Sequence, residues 1–360
     1  MKICNALSTV KWVGLLTFMT IVKSCNSPEK FYSADDFALV QKIDAHFHYL
    51  TMNEEFLKLA SNLNFHLLSP NWDGEYSIDE QMKIAHKIWL SNPKGFAFFG
   101  TFSVDSFGQP EFADLTIARI RQCLQGGASG IKIWKNIGMV LKDQDGKFVM
   151  IDDPAFDPVF TFLEENNIPV LAHLGEPKDC WLPESEMTDP GDKSYYRNNP
   201  EYHMYLHPEV PSYDDQITAR DNILKKYPKL DFIGAHLGSL EWNIDELAQR
   251  FDMFPNFKVD MAARLYHLQY QSKSNREKVR NFMIKYQDRI LYATDNEVHD
   301  ISGTDTKTTM RNLQRGWMAQ WSYLATDSVI NNTKGLKLPK DVIDKIYFKN
   351  AKKYFNQKQN

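Results

Sequence analysis

Two histidines one residue apart, His46 and His48, are the residues of this sequence whose types and spacing most directly suggest chemistry. They lie at the end of a predicted strand, Lys42–His48, and side chains two positions apart in a strand point to the same face. Two imidazoles held side by side favour a divalent cation between them, with zinc the first choice. The alternative is a pair of hydrogen-bonded structural histidines.

Three more polar residues follow short apolar runs elsewhere in the chain. They are His173, His236 and Asp295. A single polar residue at a strand end is often only a cap or a hydrogen-bond anchor. The carboxyl ends of the strands in a parallel barrel meet at one face, however, so residues that are distant in sequence can converge there. Together with His46 and His48, these residues predict one site.

The elements that must position this site alternate along the chain. Short, almost continuously apolar runs are typical of parallel strands buried on both faces. The predicted strands are Lys42–His48, Phe65–Ser69, Phe96–Ser103, Gly130–Trp134, Pro169–His173, Asp231–His236, Phe257–Met261 and Arg289–Thr294. The predicted helices are Asp79–Leu90, Glu111–Gln125, Ala155–Asn166, Gln216–Lys226, Glu241–Phe251, Ser274–Tyr286, a helical stretch after Asp305, and Leu338–Phe355. This alternation predicts an α/β fold, a (β/α)₈ TIM barrel in one domain.

Two connections are too long to be simple turns. Asn136–Asp153 follows the fourth predicted strand, and Leu174–Asp215 follows the fifth. Long loops on the exit side of barrel strands usually build the active site and its lid. We therefore expect the substrate pocket to be formed largely by these two loops.

Composition limits the class of protein. The chain has 360 residues, 43% of them hydrophobic and 24% charged, with a formal net charge of -4. These values are typical of a globular protein and give no basic surface for nucleic acid. We expect a small-molecule substrate and no nucleic-acid partner, and a homodimer is left open.

The amino terminus differs from the rest of the chain. Residues 1–25 contain a basic start and a mostly apolar run, Trp12–Val22, which is shorter than the roughly 20 residues that span a bilayer. This pattern indicates a signal peptide, and Val22–Cys25 resembles a bacterial lipobox. We predict export as a lipoprotein to the periplasm or surface of a bacterium, with the membrane contacted only through lipid on Cys25. A plain cleaved signal peptide is the alternative. Residues 26–39 are predicted to be a linker and residues 40–360 the barrel.

The arrangement of His46-x-His48, His173, His236 and Asp295 on the first, fifth, sixth and eighth strands resembles the amidohydrolase superfamily. The branch that it most resembles contains aminocarboxymuconate semialdehyde decarboxylase and related hydrolases. The resemblance implies a divalent metal, one ion rather than two, held by His46, His48, His173 and Asp295. It implies that His236 is the catalytic acid or base.

Lys132, on the fourth strand, has three interpretations. Binuclear members of the superfamily carry a carboxylated lysine on this strand, so the resemblance makes Lys132 a candidate bridging ligand. It is otherwise a contact for a substrate anion, or a barrel lysine paired with a carboxylate.

Loop residues supply the candidate substrate contacts. In the loop after the fifth strand these are Glu176, Trp181, Tyr202 and His203. After the seventh strand, Arg264 is a candidate anchor for a substrate carboxylate. The alternative for Arg264 is a structural ion pair with Asp260 or Glu297.

His203 and His207 have the spacing of a second metal pair on a helix. We favour the interpretation that they belong to a lid that lines the pocket.

These features predict a hydrolase that uses zinc-activated water to cleave an amide, ester or lactone bond of a small acidic substrate. Bound zinc lowers the pKa of its water to about 7, and Asp295 is expected to take the proton as the water attacks. The first alternative is a non-oxidative decarboxylase that uses the same metal site. The second is a lipoprotein that binds a ligand without catalysis.

Overall fold

The structure, a computed structural model, describes residues 31–300 and 305–355. The predicted signal peptide, the lipid attachment site at Cys25 and the first residues of the predicted linker lie outside the described residues. Within the described ranges, no helix is both long and apolar enough to cross a membrane.

Eight short parallel strands form the centre of the molecule, and four further strands form two pairs outside this set. The strands are β1 Lys42–Asp44, β2 His48–Leu50, β3 Phe65–Pro70, β4 Phe96–Phe99, β5 Ile131–Ile133, β6 Val170–Ala172, β7 Phe232–Gly234, β8 Phe257–Asp260, β9 Ile290–Leu291, β10 Glu297–His299, β11 Val329–Ile330 and β12 Thr333–Lys334. The four strands outside the central set pair β2 with β10 and β11 with β12. Each of the eight predicted strands is present, with ends that differ from the prediction by a few residues.

Hydrogen bonds close the eight central strands into a barrel. β1, β3 and β4 form one parallel group, and β5 to β9 form another in chain order. Gly100 joins the two groups, because its N–H donates to Gly130 (2.9 Å) and its carbonyl accepts from Lys132 (2.7 Å). On the other side, the Ala45 N–H donates to the Tyr292 carbonyl at 2.9 Å and links β1 to the end of β9. The predicted (β/α)₈ barrel is therefore confirmed.

Helices surround the barrel and fill most connections between its strands. They are α1 Glu55–Asn62, α2 Ile78–Ser91, α3 Phe112–Gln125, α4 Asn136–Met139, α5 Asp157–Glu165, α6 Pro190–Asn198, α7 Tyr213–Lys226, α8 Ile244–Met253, α9 Leu265–Lys285, α10 Thr306–Ala325 and α11 Lys340–Asp344. The helices α1, α4 and α6 were not predicted, and α9 begins nine residues before its predicted start. The predicted last helix, Leu338–Phe355, is wrong as one α-helix: α11 is followed by a π-helical turn at Lys345–Lys349 and a 3₁₀ turn at Lys352–Phe355.

The core has two layers, which explains the continuously apolar strands. Alternate strand side chains pack outward against the helices in the larger layer. The others fill the barrel interior, where Leu171, Ile233 and Leu291 pack together and Tyr354 closes the amino-terminal end. Because the lower interior is filled, the open space lies at the carboxyl ends of the strands, where function is expected in this fold.

The loop after β6 has a small core of its own. Cys180, Met187 and Tyr196 pack together within it. The Asp189 side chain accepts hydrogen bonds from two backbone N–H groups in the first turn of α6 and so begins that helix. This loop is a folded lid, and the lid covers one side of the barrel mouth.

Candidate metal centre

The ends of β1 and β9 are tied together directly below the predicted site. Asp44, at the end of β1, accepts hydrogen bonds from the backbone N–H (3.0 Å) and the hydroxyl (2.6 Å) of Thr294. It also accepts one from the Trp317 indole N–H at 3.1 Å. These bonds fix the positions of the residues that follow each strand, namely His46 and Asp295.

The structure brings His46, His48 and Asp295 together. The Nε2 atoms of His46 and His48 both lie 3.3 Å from Asp295 Oδ1. One ligand atom from each residue can be chosen so that all three lie within 4.8 Å of one another. Asp295 adopts a left-handed backbone conformation with φ 64°, which few residues other than glycine and asparagine tolerate and which turns its carboxylate toward the histidines.

The hydrogen bonds of the two rings identify their tautomers. His48 Nδ1 lies 3.0 Å from the Pro70 carbonyl, and His46 Nδ1 lies 2.8 Å from Asp260 Oδ2. Both partners are acceptors, so we assign the proton to Nδ1 in each ring. The Nε2 lone pairs of both rings then point at the Asp295 carboxylate with no proton between them. Three converging acceptors repel one another and attract a cation, so this donor set fits a divalent metal.

Lys132 lies beside this cluster. Its Nζ is 3.2 Å from His46 Nε2, and the side chain is completely buried. Burial lowers the pKa of Lys132 to about 8, although Asp260 and Asp295 oppose the shift. Lys132 Nζ is thus within hydrogen-bonding distance of one candidate ligand atom, His46 Nε2, and the bridging role suggested by the resemblance stays a prediction.

His173 lies next to His236 and outside the cluster of three. His173 Nδ1 is 3.2 Å from His236 Nε2, and His236 Nδ1 is 2.9 Å from the Ala262 carbonyl. The carbonyl places the His236 proton on Nδ1, so His173 must donate through its own Nδ1. His173 Nε2 is then a lone pair, and among the described residues this buried atom has no hydrogen-bond partner. An unused buried lone pair fits the predicted role of His173 as a ligand, which stays a prediction.

Burial and local charge set the protonation of the site. Burial, with a smaller effect from His173, lowers the pKa of His236 well below its usual value. Burial also lowers the pKa of His173, helped by Lys135 and Lys132. For Asp295 burial acts in the opposite direction, but His236, His46 and His48 outweigh it and hold the carboxyl pKa well below its usual range. Neutral imidazoles beside an ionised carboxylate are the forms that bind metal.

A cavity of about 600 Å³ opens above these residues. Its walls are largely aromatic and charged. The aromatic residues are Trp72, Trp134, Tyr195, Tyr196 and Tyr266. Lys135 and Glu176 form an ion pair on one wall, which places the predicted contact Glu176 in the cavity. A small substrate can therefore reach His48, His236 and Asp295 from the solvent.

Arg264 also lines the cavity. Its Nη1 donates to the carbonyl of Ala263 at 3.0 Å, and its buried Nε has no partner among the described residues. The alternative ion pairs for Arg264 are not formed, because Asp260 binds His46 and Glu297 accepts a hydrogen bond from Tyr76. A guanidinium with unused donors on a cavity wall is suited to a carboxylate.

Three predicted substrate contacts lie away from the cavity wall. Trp181 packs against Tyr213 and donates to the Pro211 carbonyl. Tyr202 is about half exposed on the outside of the lid. His203 Nε2 lies 2.8 Å from the Leu182 carbonyl. The structure does not place these three side chains in the cavity wall, because the lid folds around its own core of Cys180, Met187 and Tyr196. Their role as substrate contacts stays a prediction.

The lid residues that do line the cavity were not predicted, and Asp260 was considered only as an ion-pair partner of Arg264. Tyr195, Tyr196 and Asp192 belong to α6, which was not predicted. Asp260 ends β8 and carried the same pattern as the other site residues, a polar group after an apolar strand. That pattern could have identified it.

Comparisons with known proteins found a matching family model and solved structures of similar proteins. A family model described as amidohydrolase matches residues 84–357, a range that includes His173, His236 and Asp295. No curated protein matches the chain. A solved structure of 4-oxalomesaconate hydratase from Rhodopseudomonas palustris is 12% identical, with 88% of this chain and 95% of that chain covered and a TM-score of 0.47. An amidohydrolase from Pseudomonas aeruginosa is 11% identical, with 89% and 97% covered and a TM-score of 0.43.

Proposed function

This chain belongs to the amidohydrolase family, and from that membership we propose that it is a metal-dependent hydrolase of a small carboxylate-bearing substrate. The bond cleaved is an amide, ester or lactone. The observation that carries the proposal is the convergence of two imidazole lone pairs and one carboxylate oxygen at the base of an open cavity.

The metal fits the residues that are present. His46, His48 and Asp295 would hold it, and His173 offers a fourth ligand through Nε2, which makes no hydrogen bond to any described residue. Nitrogen and oxygen donors of this kind suit zinc. When bound, a zinc ion supplies Lewis acidity that activates water and polarises a carbonyl group.

Asp295 and His236 can transfer the protons that hydrolysis requires. Asp295 is held ionised and faces the cavity, so it can accept the proton of a water molecule that attacks the scissile carbonyl. His236 is held neutral and buried, with its Nε2 toward His173 and the cavity. It can accept at Nε2, in place of the hydrogen bond from His173, the proton that Asp295 has taken from the water, and deliver it to the leaving group. The cleaved bond then gains one hydrogen and one hydroxyl, the balance of a hydrolysis.

Arg264 supplies the recognition of a carboxylate. Replacing it with methionine keeps much of the bulk and removes the charge. Hydrogen bonds to charged groups contribute about 1.5–3 kcal/mol, so we expect Arg264→Met to raise KM for a carboxylate substrate by roughly 10- to 100-fold. The value of kcat should change little, because Arg264 binds the substrate away from the reacting bond.

A matched substrate provides the control for this variant. A neutral methyl ester of the same substrate, cleaved at the same bond, should show a similar KM in wild type and Arg264→Met. An equal loss for both compounds would indicate that Arg264 supports the cavity rather than binding a carboxylate.

A screen of lactones, amides and aromatic carboxylates tests the reaction class. Zinc-loaded protein is expected to open a lactone or cleave an amide without releasing carbon dioxide, and treatment with a chelator should abolish that turnover. Carbon dioxide release from a carboxylate would favour the decarboxylase instead. Saturable binding with no turnover across the panel would favour a ligand-binding protein.

We also propose that the chain is exported and anchored by lipid at Cys25, on the pattern of Val22–Cys25 alone. Metabolic labelling of bacteria with radioactive palmitate should label the wild type, and Cys25→Ser should remove the label. A mature protein with a free, unmodified amino terminus would contradict the anchor.

A further inference from the structure

Asp260 connects the candidate metal ligand His46 with the loop that carries His236. It ends β8 and is completely buried. Its Oδ1 accepts the N–H of His236 at 2.8 Å and the N–H of Ala262 at 3.1 Å. Its Oδ2 lies 2.8 Å from His46 Nδ1.

These three hydrogen bonds allow only one orientation of the carboxylate. The backbone N–H groups of His236 and Ala262 both donate to Oδ1. Their positions are fixed by the strands β7 and β8 that precede them. With Oδ1 held there, Oδ2 is aimed at the His46 ring. An ionised carboxylate has no proton to donate, so the ring must donate from Nδ1 and keep its lone pair on Nε2.

We propose that Asp260 is a positioning residue that fixes the tautomer of His46 and so presents the Nε2 lone pair to the metal. His48 has the same tautomer, but there the acceptor is the backbone carbonyl of Pro70, which a substitution does not remove. A substitution of Asp260 can therefore reverse the tautomer of His46 while the tautomer of His48 is kept. This inference rests on the proposed metal site and assigns no role to Asp260 in the chemical step.

Asparagine at this position tests the proposal because it is almost the same size as aspartate. The two backbone N–H groups would hold the amide oxygen at the Oδ1 position, which places the amide N–H₂ against His46 Nδ1. The ring would then have to accept at Nδ1 and carry its proton on Nε2, where the metal should bind. Substituting a residue that orients a metal-bound histidine typically lowers metal affinity by about 10- to 100-fold. We therefore expect Asp260→Asn to weaken zinc binding by that factor.

The first measurement is the zinc dissociation constant of the full chain, obtained by competition with a chromophoric chelator. Asp231→Asn is the matched control: Asp231 precedes β7 at the opposite end of the barrel and pairs with Lys258 and Lys353. It should leave zinc affinity unchanged. Wild-type affinity in Asp260→Asn, or an equal loss in both variants, would overturn the proposal.

The second measurement needs neither metal nor turnover. In the metal-free wild type labelled with ¹⁵N-histidine, long-range proton–nitrogen spectra should show His46 protonated at Nδ1. Its signals can be identified by their loss in His46→Asn. Folded Asp260→Asn should show His46 protonated at Nε2, a change that a merely structural role does not produce.

These outcomes separate the inference from the proposed function. If the wild type bound no zinc but His46 carried its proton on Nδ1, the metal proposal would fail and the tautomer assignment would stand. A proton on Nε2 of His46 in the metal-free wild type would overturn the inference itself, even if Asp260→Asn did not fold.

Discussion

The double variant His46→Ala, His48→Ala should purify with almost no zinc, whereas the wild type should carry about one ion per chain. Each substitution removes an Nε2 atom that lies 3.3 Å from Asp295 Oδ1. With both removed, only Asp295 and the proposed ligand His173 are left, and two ligands do not hold a structural or catalytic zinc ion. Hydrolysis should fall to the background rate. The measurement is elemental analysis of the purified protein together with turnover.

The control for this variant replaces two histidines outside the cavity. His86 Nδ1 lies 2.6 Å from the Gly126 carbonyl, and His207 is partly exposed on the lid. The double variant His86→Ala, His207→Ala should retain zinc and activity. Full zinc occupancy in the His46, His48 variant would show that the metal is held elsewhere or bound nonspecifically.

His236→Asn should separate catalysis from metal binding. His236 Nδ1 donates to the Ala262 carbonyl, and His236 Nε2 faces His173. The His236 ring nitrogens therefore do not point at Asp295 as the Nε2 atoms of His46 and His48 do. We therefore expect near-normal zinc content and a fall in turnover of roughly 10²- to 10⁴-fold, the usual contribution of a general acid or base. The backbone N–H of residue 236 keeps its bond to Asp260, so the loop should keep its conformation.

Zinc content and turnover must be measured on the same preparation of this variant. If zinc were lost in parallel with activity, His236 would be a ligand rather than an acid or base. That outcome would also favour a second metal and a bridging role for Lys132, whose Nζ already lies 3.2 Å from His46 Nε2.

The barrel and the grouping of its polar residues follow from the sequence for simple reasons. Strands buried on both faces are almost entirely apolar, so the polar residue that ends each strand is conspicuous, as with Asp295 after Ile290–Leu291. Parallel strands in a barrel share one exit face, and this rule placed His46, His48 and Asp295 together without knowledge of any contact.

The lid and the tautomers could not be predicted in the same way. Trp181 and His203 have residue types that suit a pocket, but the packing of Cys180, Met187 and Tyr196 determines which way the lid side chains face. Such packing has no periodic pattern in the sequence. The tautomer of His46 depends on Asp260, which is 214 residues away, and no local feature around His46 indicates that partner.

The most direct test of the metal site is anomalous X-ray scattering at the zinc edge from crystals of the zinc-loaded protein. A strong peak is expected within bonding distance of His46 Nε2, His48 Nε2 and Asp295. A zinc-loaded crystal with no anomalous peak among these three residues, or with its peak only at other residues, would contradict the proposed site.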